Sequence, residues 1–400
     1  MNTVENYKRI LQEIFQTPVK IKTSSKTNNC IGAIARNENS IFTQNFINRL
    51  IRLKELYKDD PKTISNIINT AKGIAISESY KWAGEYSELV ALDYWTSFKD
   101  IHSVRYVVKQ DTQNFHNSVA KFLGQKTIDL DLEIELSTKT IYTDIKCFVP
   151  IHQELTDLLI SRVSEKVDIG KFLIGVDNIY EVDYLRLKAD LQSEVKSDLI
   201  LALIKALEEK QVTYCHKLKS GKSLNFRMAY PKPGAKNIVL QTLREYDPYS
   251  LAKDYRYKII DYYSKFLFTE PSLITWVINP WFNSEMNGGP SDFRKAFLRS
   301  LARRIFMDIS NDTTMMSQYF PKKFKGKNDM SVSEISKLVS GVIFIFDNSI
   351  QGDLENLYES YIYLNPNAKN RVLTERDFGI LSWDASNFRP FIDDFQNDCY

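Results

Sequence analysis

The spacing of apolar residues divides the chain into helical and extended stretches. Apolar positions three and four apart predict helices over 1–15 (Tyr7, Ile10, Leu11, Ile14, Phe15), 41–58 (Phe46, Ile47, Leu50, Ile51, Leu53), from 62 onward after the Asp60-Pro61 break, and 78–98 (Trp82, Tyr86, Leu89, Val90, Leu92). The same spacing predicts helices over 152–167, 184–210, 250–267 and 291–308. Residues 18–40 are polar and read as a loop around KTSSKTNN. Strands are expected at 103–109, 171–177, 212–230 (a pair around Lys219–Lys222), 273–282, 341–347 and 361–367. Arg49, Arg52 and Lys54 are assigned to the polar side of the second helix. Breakers at 231–234 (PKPG) and the helical start suggest three regions. These are a helical segment over 1–77, a core over 78–234 and a mixed α/β region over 235–400.

The most informative pattern is a β-hairpin over 127–149, TIDLDLEIELSTKTIYTDIKCFV. Its first arm alternates strictly, with Asp129, Asp131, Glu133 and Glu135 expected on one face and Ile128, Leu130, Leu132, Ile134 and Leu136 on the other. The second arm places Tyr142, Asp144, Lys146 and Phe148 on one face and Ile141, Thr143, Ile145 and Cys147 on the other. A two-residue step returns to the same side of a strand, so Asp144 and Lys146 are neighbours. Clustered carboxylates repel unless a hard cation such as Mg²⁺ lies between them. A lysine beside them can orient a water and steady charge that builds on a phosphate. Alternating apolar and acidic residues also describe an ordinary half-exposed strand, so the pattern alone leaves both readings open.

Composition narrows the field. Of 400 residues, 43% are hydrophobic and 26% charged, which indicates a globular protein with ample core. The net charge of +3 is too small to indicate a polyanion partner by itself. Cys30, Cys147, Cys215 and Cys399 lie far apart, which disfavours a zinc site and a disulfide framework. His102, His116, His152 and His216 show no ligand spacing. The first residues lack a signal-peptide core and no apolar run reaches the roughly 20 residues that span a bilayer, so a cytoplasmic location without membrane attachment is expected.

The order helix, strand, strand, strand, helix, strand over 78–178, with an acidic residue on one strand and Asp144-Ile145-Lys146 on the next, resembles the PD-(D/E)XK, or restriction-endonuclease-like, nuclease superfamily. Leu130 stands where that family usually has a proline before its first aspartate, which leaves Asp129 as an alternative to Asp131. Gly84 and Glu88-Leu89-Val90 resemble the family's pattern on the preceding helix, with Glu85 the alternative. The resemblance implies an α/β fold with an αβββαβ core. It further implies a metal site of Glu88, Asp131, Asp144 and the backbone carbonyl of Ile145, binding Mg²⁺ or in its place Mn²⁺. Lys146 would act on the attacking water, and the products would be a 5′-phosphate and a 3′-hydroxyl.

Two basic clusters are candidates for phosphate contact: Lys295, Arg299 and Arg303 on one helix face, and Lys323 and Lys325 in a lysine-rich loop. Each also fits a solvated surface. The expected function is a Mg²⁺-dependent endonuclease of double-stranded DNA, resembling a type II restriction or phage-defence enzyme. It would act as a homodimer and have a companion DNA methyltransferase as a candidate partner. The alternatives are a nuclease of the same fold acting on RNA or structured DNA, and a non-catalytic DNA-binding or scaffold protein.

Overall fold

The structure is a computed structural model that describes residues 3–21, 29–76, 82–119, 124–149, 151–167, 172–176, 184–192, 197–218, 221–230, 247–280, 291–319, 329–350, 357–379, 381–382 and 389–396. The fold is mixed α/β. Five helices come first: α1 (Thr3–Phe15), α2 (Asn29–Arg36), α3 (Ser40–Leu56), α4 (Pro61–Ile76) and α5 (Trp82–Thr96). Part of the stretch read as loop is therefore helix α2, which buries Cys30, Ile31 and Ile34. Then follow β1 (Ser103–Asp111), β2 (Thr127–Glu135), β3 (Thr140–Cys147), α6 (Ile151–Ser164), β4 (Leu173–Val176), α7 (Tyr184–Gln192), α8 (Asp198–Glu208), β5 (Thr213–Lys217) and β6 (Ser223–Ala229). The last part holds α9 (Pro248–Tyr255), a 3₁₀ segment (Arg256–Lys265), β7 (Ser272–Ile278), α10 (Ser291–Phe306), α11 (Val332–Leu338), β8 (Val339–Asp347), β9 (Tyr358–Leu364) and β10 (Phe391–Asp393).

Among the described residues the main sheet runs β1-β2-β3-β7-β8-β9-β10, and a smaller one runs β4-β6-β5. The hairpin arms are antiparallel, whereas β3, β7 and β8 are mutually parallel. This corrects the expected core. The strand at 171–177 forms as β4, but it pairs with β6 in the small sheet, and the place beside β3 belongs to β7. The physical reason lies in burial. All seven residues of β7 are buried, as a central strand covered on both faces requires. The four residues of β4 alternate half-buried and buried, which suits a short edge strand. The expected boundary at 234/235 therefore does not separate the hairpin from the rest of its sheet.

Each face of the main sheet carries its own apolar core. Ile141, Ile145, Leu273, Val277, Ile343, Ile345 and Ile362 pack against helices α1 to α5, so residues before 77 share a core with the sheet. Ile274, Trp276, Ile278, Val342, Phe344 and Phe346 pack on the other side against α6 to α11 and the small sheet. Arg49 was expected on a polar helix face but is fully buried. Its guanidinium lies 3.3 Å from Asp347 at the end of β8 and 3.5 Å from Asp93 on α5. It also donates to the hydroxyls of Tyr358 (3.0 Å) and Tyr86 (3.2 Å). A charge buried this deeply needs such a complete set of partners, and together they lock α3 and α5 onto β8 and β9. No helix among the described residues is long and apolar enough to cross a membrane.

Candidate active site

The second arm of the hairpin has the alternation read from the sequence; the first does not. Ile128 and Leu130 belong to one core, whereas Leu132, Ile134 and Leu136 belong to the other. The strand thus changes sides at Asp131. Two features accompany the change. The β1–β2 ladder pairs Tyr106 with Leu132 and Val108 with Leu130 but omits Val107 and Asp131. Val107 has φ 55°, an outlying conformation for a β-branched residue. The β2–β3 ladder also ends at Leu132 and Thr143. Beyond it the Asp131 carboxylate accepts the N–H of Ile145 at 2.6 Å, so a side chain stands where a main-chain acceptor would otherwise be.

The four acids of the first arm consequently have different surroundings. Asp129 is exposed, and Asp131 is half-buried beside β3. Glu133 is buried and ion-paired with Arg105, and Glu135 accepts from Ser103 at the strand end. The single acidic face expected for this arm does not form, because the kink at Val107 and Asp131 redirects it.

Asp144 is 1% exposed and its partners are two ammonium groups. Lys146 forms a close ion pair with Oδ2, and Lys265, from the end of the 3₁₀ segment, lies 3.6 Å from Oδ1. The Lys146 ammonium also hydrogen-bonds the Asp144 carboxylate. Lys146 also lies 5.4 Å over the ring of Tyr262, a cation–π placement that fixes its stem. Burial pushes the Lys146 ammonium toward the neutral form, but the carboxylates of Asp144, Asp131 and Glu88 outweigh that and hold its pKa above the ordinary value. Lys146 is thus a persistent cation, suited to holding a water or an oxyanion.

Glu88 projects from α5 and receives the Tyr106 hydroxyl at 2.6 Å; that hydroxyl also lies 2.5 Å from Thr70 on α4. Burial and the negative charges of Glu85 and Asp144 raise the pKa of Glu88, against the Tyr106 hydrogen bond and Lys146. Burial comes first for Asp131 as well, then Asp144; with Glu88 they raise its carboxyl well above the usual range despite Lys146 and the Ile145 N–H. Glu85 packs against α4, where a Cβ on Gly73 would come within 2.9 Å of its Cγ. The hairpin and α5 thus form one electrostatic unit in which Glu88, Asp131, Asp144 and Lys146 influence one another.

The donors match a hard cation in kind. Mg²⁺ keeps several waters and is commonly held by one or two carboxylates plus substrate oxygens. Asp131 and Asp144 supply such a pair, with the ammonium groups of Lys146 and Lys265 facing the Asp144 oxygens that an ion would have to reach. No group of three or more His, Cys, Asp or Glu side chains that could hold a metal ion converges among the described residues. Ile145 meets the site through its N–H, bonded to Asp131.

Of the basic residues singled out, Arg299 donates to Asp393 at 2.8 Å and lies over Phe395, which ties α10 to the C-terminal segment. Lys295 is exposed and Arg303 half-buried on the same helix. Lys323 and Lys325 lie outside the described residues. Sequence reasoning missed Tyr106, Thr70, Tyr262 and Lys265. The first three carry no local signal, and Lys265 follows an aromatic stretch read simply as a helix. Comparison of the chain with protein-family models, curated proteins and solved structures yields no match.

Proposed function

We propose that the protein is a metal-dependent nuclease that hydrolyses phosphodiester bonds in double-stranded DNA, with a restriction-endonuclease-like site. The observation that carries this reading is the meeting of Asp131, Asp144 and Lys146 where the hairpin ladder opens: two carboxylates on adjacent strands, one ion-paired with the lysine. The β2–β3 ladder ends before Asp131, while Asp144 keeps its place in the β3–β7 ladder, which leaves the Asp131 side chain turned to β3.

Asp131 and Asp144 would hold Mg²⁺ or Mn²⁺, with Glu88 nearby as a further carboxylate. The bound ion would supply Lewis-acid polarisation of a phosphoryl oxygen and a water more readily deprotonated than in bulk. Lys146 holds the attacking water and offsets the negative charge that grows on the phosphoryl oxygens. Tyr106 and Thr70 fix the direction of Glu88. Cutting both strands of a duplex calls for two such sites, which a two-fold homodimer would provide. In a restriction role a companion DNA methyltransferase would protect the host's own sites.

A cleavage panel tests the reading: phage DNA, single-stranded DNA and RNA, each incubated with the protein in Mg²⁺ and in EDTA. Discrete duplex fragments formed only in Mg²⁺ are expected. Loss of RNA alone would move the substrate to RNA with the same chemistry. Failure to cut any of the three in Mg²⁺ or Mn²⁺ would contradict a nuclease and leave a nucleic-acid-binding protein.

A further inference from the structure

We propose that Lys265 is a phosphate-binding residue of this site, presenting with Lys146 two ammonium groups to the nucleic-acid backbone before any metal ion is bound. The inference rests on the nucleic-acid reading above and adds a residue from a distant part of the chain.

The geometry is layered. Asp144 is enclosed, while the side chains of Lys146 and Lys265 are 28% and 29% exposed. One ammonium stands at each carboxylate oxygen, so a ligand arriving from solvent meets cations first and the carboxylate behind them. Lys265 reaches the hairpin from 136 residues away in sequence, and its Nζ donates to the Asp129 carbonyl at 2.6 Å. That bond anchors the ammonium between β2 and β3. An ammonium has three N–H donors. Among the described residues Lys265 directs one to Asp129 and faces Asp144 at 3.6 Å, which leaves a donor for a phosphate oxygen. A lysine serving only to pin the 3₁₀ segment would need the carbonyl bond alone; this one also brings its charge to Asp144, the carboxylate at the centre of the proposed site. Lysine suits this task as a compact point charge on a phosphate.

The test is equilibrium binding of a fluorescently labelled random-sequence duplex to the full chain in EDTA, over a series of KCl concentrations. Relative to wild type, Lys265→Gln should bind about 5–10-fold more weakly, and the slope of log affinity against log salt should fall by about 0.9, the value of one phosphate contact. Lys265→Arg should keep the wild-type slope. Unchanged affinity and slope in Lys265→Gln would overturn the proposal, as would weaker binding at an unchanged slope, the signature of a purely structural lysine. Absence of duplex binding by the wild type would overturn it too. A second measurement needs no variant: bound duplex should slow acetylation of Lys265 in the wild-type chain, read by mass spectrometry, and equal rates with and without duplex would contradict the assignment. Failure here is separable from failure of the nuclease reading. A chain that cuts DNA but whose slope ignores Lys265 retires only this inference. A chain whose binding depends on Lys265 but that cuts nothing retires only the nuclease.

Discussion

Tyr106 shows how a residue without a motif can govern one that has it. Its hydroxyl holds Glu88 at 2.6 Å and contacts Thr70 at 2.5 Å, so Tyr106→Phe should leave Glu88 to rotate. Outer partners of this kind are worth about 10–100-fold in metal affinity or activity; that loss in cleavage rate is the expected result, with a melting temperature somewhat lowered because Glu88 loses a buried hydrogen bond. Asp131→Asn should raise stability. The carboxylate is buried beside Asp144 and Glu88, and an amide keeps an oxygen for the Ile145 N–H while removing the repulsion. In EDTA its melting temperature should rise, by about 1 °C for each kcal/mol of repulsion relieved; calorimetry would show it, and a fall would mean that the charge is better compensated than the structure indicates. Asp144 and Lys146 were legible because residues two apart on a strand must share a side. Tyr106, Tyr262 and Lys265 were not, since their positions depend on contacts between distant segments. Glu85 and Glu88 could not be told apart by spacing; packing turns Glu85 toward Gly73 and leaves Glu88 to Tyr106.

Elements were easier to find than their partners. The hairpin, the helix α5 before it and most later strands lie close to where periodicity placed them. Pairing was a different matter: β4 and β7 are both short apolar runs, and only burial on both faces marks β7 as the neighbour of β3. The crossing of β2 between two cores was likewise invisible, because its sequence alternates without interruption through Asp131. Two links between elements can be tested. Arg49→Met should remove the buried cation facing Asp347, while Asp93 keeps Arg52, and lower stability by about 3–5 kcal/mol, measured by urea denaturation. The second link ties the hairpin turn to the C-terminal segment. Burial would raise the Asp377 carboxyl, but hydrogen bonds from Arg376, the Leu373 N–H and Thr138, with the charge of Lys139, outweigh it and hold the pKa at about 2. A depressed carboxylate stabilises the fold at pH above its ordinary range and loses that contribution as pH falls toward 2. Asp377→Asn should therefore be less stable than wild type at neutral pH, and the difference should shrink on acidification; a constant difference would contradict this role.

At the scale of the whole molecule, the site lies where three separate parts of the chain meet: α4 and α5 supply Thr70 and Glu88, the hairpin supplies Asp131, Asp144 and Lys146, and the 3₁₀ segment supplies Tyr262 and Lys265. The three regions expected from breakers and composition are thus joined by one sheet with two cores, and each contributes to the site. Anything bound there should stabilise the whole fold. Mg²⁺ at a hundred times its dissociation constant should add about 2.7 kcal/mol, visible as a rise in the wild-type melting temperature that Asp144→Ala lacks. The most direct test of the account is the rate of supercoiled-plasmid cleavage in Mg²⁺ by the wild type, Asp129→Ala, Asp131→Ala and Asp144→Ala side by side. The account predicts that wild type and Asp129→Ala cut at similar rates and that Asp131→Ala and Asp144→Ala fall to the level of the EDTA control. Cleavage by Asp144→Ala at the wild-type rate would contradict it.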